Sequence, residues 1–520
     1  MHDAPSLISL QQRIAQQWPD HPAIAFNGAT TTFAEFAAQS DRGAAFLQQR
    51  GIRRGDRVGL YCINSDAFAA AYFAIVKAGG TVVPLNLLLT PPELVYILRD
   101  SGARGLLYYE GFEPAVAAMR PQLPDVEFAV HLGLEPTSRG GAEFSRADLF
   151  DCPAPWIPPA IDPANDVAVL IYTSGTTGHP KGAMLTHRNL CANATAVREA
   201  MRLEPGRDVL LVVLPMFHAF AGTVGLLFPL LHGCTIVPLP RFDPGAVLDA
   251  IEASQATIFF AVPSMFNILL RMQNADVGKF RSVRFAVSGG AAMPAEVMRQ
   301  FEEKYGTLIY EGDGPTECGP VTCVNPIGGR RKPGSVGREA PSVEMRIMDA
   351  AGREVPVGEA GEICVRGPSV MKGYWNRPEE TAASFFGEWF RTGDIGVMDE
   401  DRYFFILDRI KDMVIVNGMN VYPRAVEEVL YQHPAVAEAA VVGEPSELHG
   451  EVPIAFVVLH PGAEADDKAL RSFCRERLGR HEIPRQFHLR ESLPKNAAGK
   501  ILKRELRRSG EVERGVDRRS

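Results

Sequence analysis

The sequence predicts an α/β protein with two domains. A large N-terminal domain, residues 1–409, is built of helix-covered β-sheets plus a β-rich subdomain, and a smaller, mobile α+β domain spans residues 410–520. Three observations carry this reading. The chain has 520 residues, too many for one hydrophobic core. As far as about Pro341, apolar β-like runs alternate with helical patterns, the mark of sheets covered by helices. Beyond that point short strands and turns take over, and a compact mixed unit follows Lys411.

Taken in order, "TTFAEFAAQSDRGAAFLQQRG" reads as a helix, "DRVGLYC" as a strand, "SDAFAAAYFAIVKAGG" as a helix and "TVVPLN" as a strand. "VAVLIY" (167–172) reads as a short buried strand, and "LTHRNLCANATAV" can start a helix. The runs at 209–215, 234–239, 256–262 and 283–289 predict strands. The spans 244–254, 263–273 and 294–306 predict helices, the first and last opening with proline. Later, "SVEMRIMD", "GEAGEICVRG" and "RYFFILDR" read as strands. The C-terminal unit offers "DMVIVNG", "VAEAAVVG" and "PIAFVVL" as strands, with helices "PRAVEEVLYQ" and "DDKALRSFCRERLG". The charged stretch "LDRIKD" between the units suits a short hinge.

Composition excludes some classes of function. A net charge of −8 argues against a nucleic-acid-binding surface. The uncharged segment from Val209 to Pro240 is broken by four prolines and three glycines, so it predicts a strand, a buried helix and a second strand rather than an integral membrane span. The N-terminal stretch lacks a secretory signal, which makes the cytoplasm the expected location. Eight scattered cysteines form no C-x-x-C pair and read as buried free thiols.

The most informative stretch is "YTSGTTGHPKG", Tyr172 to Gly182, which gathers glycines, hydroxyls and one lysine after an apolar run. Read as strand, Gly-rich turn and helix, it places backbone N–H groups, hydroxyls and Lys181 where phosphate oxygens can be held. The common nucleotide loop G-x-x-x-x-G-K-[ST] is absent, because Lys181 stands between Pro180 and Gly182.

Four further segments follow in a fixed order: "YEGDGPTE" (310–317), "WFRTGD" (389–394), "DRIKDMVIVNGMNVYP" (408–423) and "LPKNAAGKILKREL" (493–506). With the glycine-rich loop they resemble the adenylate-forming (AMP-binding) superfamily, and within it the acyl-CoA synthetases of the long-chain fatty acid–CoA ligase kind, over essentially the whole chain. The resemblance implies an ATP- and Mg2+-dependent ligase that activates a carboxylic acid through acyl-AMP and transfers it to coenzyme A. It implies Thr173, Ser174, Gly175, Thr176, Thr177, Gly178 and Lys181 as the loop over the β- and γ-phosphates. It also implies Glu317, with Thr173, as the metal-binding site, Thr316 as a phosphate contact, Asp394 and Arg409 as ribose contacts, and Lys500 as the catalytic lysine. The resemblance further implies that Glu311, Gly312, Asp313 and Gly314 belong to the ATP site, with Gly290, Ala291 and Ala292 lining the other side of the base. The resembled motif usually has an aromatic residue where Asp313 stands; Asp313 offers instead an acceptor for the adenine amino group.

For the second half-reaction the resemblance implies rotation of the small domain about Lys411, with Gly418 at the passage for the thiol arm. An amino-acid-activating relative would place an aspartate where "MFHAFAG" carries His218, so a simple carboxylic acid is expected, with His218 near its carboxylate. Phe220, Gly222, Val224, Gly289 and Val321 complete the expected acyl pocket, which suits a medium- or long-chain fatty acid or an aromatic acid. The sequence carries no fused carrier domain after Lys500, which is read as favouring coenzyme A. A carrier-loading acyl-AMP ligase and a non-catalytic acyl-nucleotide-binding protein stay open as alternatives. The expected partners are therefore a small-molecule acid, ATP and coenzyme A, with a homodimer left open.

Overall fold

The apolar runs form strands of two large sheets in a computed structural model of the chain, which describes residues 5–133, 142–173, 180–446, 448–496 and 499–507. In the nine-stranded sheet, Ile309–Asp313, Phe285–Ser288, Ile258–Ala261, Val209–Val212 and Thr235–Pro238 lie side by side in parallel. Parallel neighbours need crossovers, and the helices Pro244–Ser254, Pro263–Arg271 and Ala295–Tyr305 supply three of them. The eight-stranded sheet is built around Val167–Thr173, Thr81–Pro84, Arg57–Tyr61 and Ala103–Tyr108. Buried strands such as Val209–Val212 and Ile258–Ala261 are almost wholly apolar, as expected of a sheet covered on both faces.

Helix Asp66–Lys77 joins the two sheets. Ser65 caps it by accepting from the Phe68 N–H, and every residue from Ala67 to Lys77 is buried, with helix Phe33–Gln49 on one side and strands of both sheets on others. A helix apolar all round can exist only with partners on all sides. Its C-terminal charge, Lys77, is wholly buried and is paired with Asp41 at 2.7 Å.

The glycine-rich loop differs from the strand–turn–helix reading. Val167–Thr173 is followed by a second, antiparallel strand, Lys181–Thr186, with Thr173 opposite Lys181 and Tyr172 opposite Gly182. The helix starts only at His187, capped by Thr186 and Asn189 in a reciprocal box. No helix N-terminus therefore follows the loop directly. The signal for the later start was Thr186 with Asn189 three residues on, which outweighs the helical look of the preceding "LT".

The segment Val209–Pro240 forms a strand, a helical stretch from Ala219 to Leu230 and a second strand, as its prolines predict. Gly222–Leu227 within it is a π-helical turn, a widening often found beside functional sites. No helix among the described residues is long and apolar enough to cross a membrane.

Strands Glu344–Met348, Gly361–Arg366, Trp389–Met398 and Phe404–Arg409 form a third, antiparallel sheet. Between Arg409 and Val414 the chain passes to the fourth sheet, which holds Val414–Val416, Met419–Val421, Val436–Ser446 and Gly450–Leu459 with its own apolar core under helices Pro423–Tyr431 and Asp467–Arg475.

Asn193, fully buried on helix His187–Ala200, fastens this scaffold to the loop beyond Glu317. Its amide donates to the carbonyls of Val321 at 2.7 Å and Cys318 at 3.4 Å, and its oxygen accepts from the Val321 N–H at 3.3 Å. Asn193→Ala strands these backbone groups without water. The expected loss is about 2–3 kcal/mol, read as a lower denaturation midpoint; a change inside about 0.5 kcal/mol would mean the loop holds itself.

Candidate active site

Leu214, Pro215 and His218 follow strand Val209–Val212, Val262 follows Ile258–Ala261, and Gly290 follows Phe285–Ser288. These positions lie past the carboxyl ends of three parallel strands, where open α/β sheets leave a crevice. The crevice is lined also by Phe220 and, from the C-terminal unit, by Asn496 and Lys500. His218 caps the short helix after it, its Nδ1 accepting from the Phe220 N–H at 3.3 Å. Burial, with Lys500 nearby, lowers its pKa to about 4, so the imidazole is neutral at pH 7.

Lys500 keeps contact with solvent along the mouth of the crevice, yet dense protein surrounds it. That desolvation and the neighbouring Arg409 lower its pKa to about 8, against the pull of Asp394 and Asp313. Its loop is held by short bonds: the Lys500 N–H donates to Asn496 Oδ1 at 2.9 Å, and Ser264 of the large unit donates to the Gly499 carbonyl at 3.1 Å. Gly499 has φ +78°, and a Cβ there would stand 2.7 Å from the Ser264 hydroxyl, so only glycine fits this contact. Arg271 and Asn267 add bonds to the Ala437 carbonyl. The arrangement thus delivers Lys500 to the crevice.

Asp394 and Arg409 sit opposite one another on paired antiparallel strands, with Nε to Oδ1 at 2.9 Å. Asp394 is buried, and its charge raises the pKa of Arg409. Asp313, at the end of strand Ile309–Asp313, feels the same group: burial and Asp394 raise its pKa, while Arg409 and Lys500 lower it. Asp313, Asp394, Arg409 and Lys500 are therefore one charge cluster. Glu311 on the same strand is buried, and its pKa rises to about 7 through desolvation, opposed by Arg424 at 3.5 Å. It accepts from the Met293 N–H at 3.1 Å, which ties down the Gly290–Ala292 turn. Gly312 pairs with Val324, and a Cβ on Gly314 would fall 1.7 Å from the Pro320 carbonyl. This close crossing immediately precedes Thr316 and Glu317, and Glu317 reaches the described end of strand Val167–Thr173.

Glu317 Oε1 accepts from the Tyr374 hydroxyl at 2.8 Å and lies 3.5 Å from the Thr173 hydroxyl. Lys181, across from Thr173, is ion-paired with Glu380 and stands 5.4 Å above the Tyr374 ring. Ser174, Gly175, Thr176, Thr177 and Gly178 lie outside the described residues. Glu317 and Thr173 are hard oxygen donors, and no group of three or more metal-ligating side chains gathers among the described residues. Mg2+ is usually held by one or two protein oxygens, with water and phosphate oxygens completing its shell, so the donor set fits that ion.

Of the acyl-pocket residues expected from the sequence, His218 and Phe220 line the crevice. Gly289 lies directly under Phe220, whose ring is 3.0 Å from where a Cβ would stand, and Gly222 packs near the Met216 carbonyl. Val224 and Val321 are buried in the core. Gly418 forms the turn of hairpin Val414–Val421 with Asn417, both at positive φ, and faces open space. Lys411 lies near enough to Lys500 to lower its pKa, and its carbonyl meets Arg507. Sequence reasoning missed Tyr374, Glu380, Arg424 and Asn496. Only Asn496 carried a local signal, as a turn residue before the glycine of "NAAGK".

Comparison with known proteins agrees with this geometry. The AMP-binding enzyme family matches residues 11–375, and the AMP-binding enzyme C-terminal domain matches residues 425–500. A long-chain-fatty-acid–CoA ligase of Bacillus subtilis is 37% identical, covering 96% of this chain and 94% of its own. A feruloyl-CoA synthase of an Amycolatopsis species is 38% identical, covering 95% and 97%. The ATP-bound MatB structure from Rhodopseudomonas palustris superposes with a TM-score of 0.88 at 34% identity, covering 97% and 99%. With its crevice, charge cluster and C-terminal lysine, the chain belongs to the AMP-binding, adenylate-forming enzymes and is an AMP-forming acid–thiol ligase.

Proposed function

We propose that this ligase activates a hydrophobic carboxylic acid, a medium- or long-chain fatty acid, as acyl-AMP and then transfers the acyl group to coenzyme A. The observation that carries the reading is one crevice with Leu214, Pro215, Phe220 and Val262 on its wall and Lys500 at its mouth. An apolar tail gains from such walls, while its carboxylate gains from the ammonium.

In the first half-reaction a carboxylate oxygen attacks the α-phosphorus; the new C–O–P linkage forms as the α–β bridge breaks and pyrophosphate leaves with the electron pair. Two anions must meet, so fixed positive charge is the main requirement. In this reading the Lys500 ammonium lies between carboxylate and α-phosphate, and neutral His218 borders the carboxylate. Asp394 accepts from the ribose hydroxyls, steadied by Arg409. Asp313 accepts from the adenine amino group, Glu311 supports the base-side turn Gly290–Ala292, and Thr316 contacts phosphate. Thr173 and Lys181 hold the outer phosphates with the glycine-rich loop. Glu317 and Thr173 would hold Mg2+, which when bound neutralises charge on the phosphate oxygens. The domain division at Arg409 and rotation about Lys411 belong to the same proposal, with the Gly418 hairpin exchanging places with Lys500 for thioester formation.

A second reading, an aromatic acid as substrate, is favoured by the Phe220 ring meeting Phe260 edge-on at 6.2 Å, a surface that suits another ring. The name of the Amycolatopsis relative supports it as the B. subtilis name supports the first. Coenzyme A-dependent AMP release, measured across saturated fatty acids of rising length and across ferulate, separates them. Burial of each methylene contributes about 0.8 kcal/mol, so kcat/KM should rise about three- to fourfold per methylene until the crevice is filled. A flat series with ferulate preferred selects the aromatic reading, and AMP release indifferent to coenzyme A would point to a carrier-protein acceptor.

The pKa of Lys500 also sets a pH dependence. The ammonium exists below about 8, and adenylation needs it charged. The kcat/KM of adenylation should therefore be level near pH 7 and fall about tenfold per pH unit well above 8, reporting the free enzyme. Bound anions favour the ammonium, so the limb in kcat should lie at higher pH. Equal limbs in both parameters would contradict the assignment.

A further inference from the structure

Lys181 is the one described cation of the glycine-rich loop, and it already has a partner. Its Nζ is ion-paired with Glu380 on the short helix Pro378–Ala383, and its ammonium sits 5.4 Å above the Tyr374 ring. The side chain is only 15% exposed, so pairing matters more than at an open surface. Glu380 is itself held. Arg377 Nε lies 3.7 Å from Glu380 Oε1, and the Arg377 guanidinium is anchored by Asp100 at 3.2 Å. The Thr381 hydroxyl accepts from the Tyr374 N–H at 2.9 Å, which fixes the helix to the strand that carries Tyr374. Tyr374 in turn reaches Glu317 at 2.8 Å. The carboxylate of Glu380 is thus a built feature of the phosphate side of the cleft.

We infer that Glu380 is a positioning residue that competes with the β- and γ-phosphates for Lys181, an inference that rests on the reading of Lys181 as a phosphate contact. An ammonium this enclosed cannot be left bare, and its single positive charge cannot neutralise both a carboxylate and a polyphosphate. ATP must draw Lys181 away from Glu380, and Glu380 takes it back as pyrophosphate departs. Competition of this kind weakens ATP and pyrophosphate alike. It leaves AMP and acyl-AMP untouched, because neither carries outer phosphates. The site therefore releases its first product without loosening its hold on the intermediate.

Calorimetric titration of pyrophosphate, ATP and AMP, each with magnesium, into wild type and Glu380→Gln tests this. The variant should bind pyrophosphate and ATP about fivefold more tightly, the size expected of one partly exposed ion pair, with AMP unchanged. Glu380→Asp keeps the charge and should return both values toward wild type. Unchanged or weaker pyrophosphate binding in Glu380→Gln overturns the inference, as does tightening of AMP by the same factor. Acid-dependent ATP–pyrophosphate exchange by the wild type is measured alongside. Exchange with no tightening sinks the role of Glu380 and leaves the adenylation reading standing, whereas tightening without exchange upholds Glu380 and sinks the adenylation reading.

Discussion

The contact on which the site depends is the pairing of Asp394 with Arg409 across neighbouring antiparallel strands. Asp394 is buried, and a buried carboxylate without a partner would either protonate or draw in water. Arg409 is that partner, and it also opposes the rise that burial imposes on the pKa of Asp313 while making Lys500 easier to deprotonate. One guanidinium thus acts on three neighbours, on Asp394 by pairing and on Asp313 and Lys500 through its charge. Arg409 is also the last residue of the third sheet before the chain crosses to the fourth. A reorientation that begins after it would carry Lys500 away and leave Asp394 paired.

The second constraint is shape. Lys500 reaches the crevice only because Gly499 can take a positive φ within hydrogen-bonding reach of Ser264. Thr316 and Glu317 are positioned because Gly314 lets two stretches of backbone cross almost in contact. Small residues in these motifs record close approach, while the charged ones record chemistry. The crevice wall past the parallel strands adds apolar surface, from Leu214, Pro215, Phe220 and Val262, beside Lys500 of the charge cluster.

Much of this was legible in the sequence, because each element had a local cause. The helix at 244–254 opens with proline and carries one apolar stripe, and it forms with those bounds. The break in Val209–Pro240 was written in its prolines. The hairpin after Thr173 was not legible, since six residues beginning with Lys181 have no strong strand pattern and gain their pairing from Val167–Thr173. Tyr374, Glu380 and Arg424 were hidden for a different reason. Nothing around "GYWNRPEE" or "YPRAVEE" announces a ligand, and their roles arise only when distant segments meet: Tyr374 with Glu317, Glu380 with Lys181, Arg424 with Glu311. Motif reasoning finds the charged residues inside a motif more readily than the partners that distant segments bring to them.

The central claim is that a single lysine serves one half of a two-step reaction and is absent from the other. The direct measurement is the rate of each half-reaction in Lys500→Ala: acid-dependent pyrophosphate release from ATP, and thioester formation from supplied acyl-AMP and coenzyme A. The account predicts that the first falls by at least about a hundredfold, as removal of a charge that stabilises a transition state does, while the second stays close to wild type. A parallel fall in both would contradict it, and would mean that Lys500 acts on the site as a whole rather than on the adenylation step.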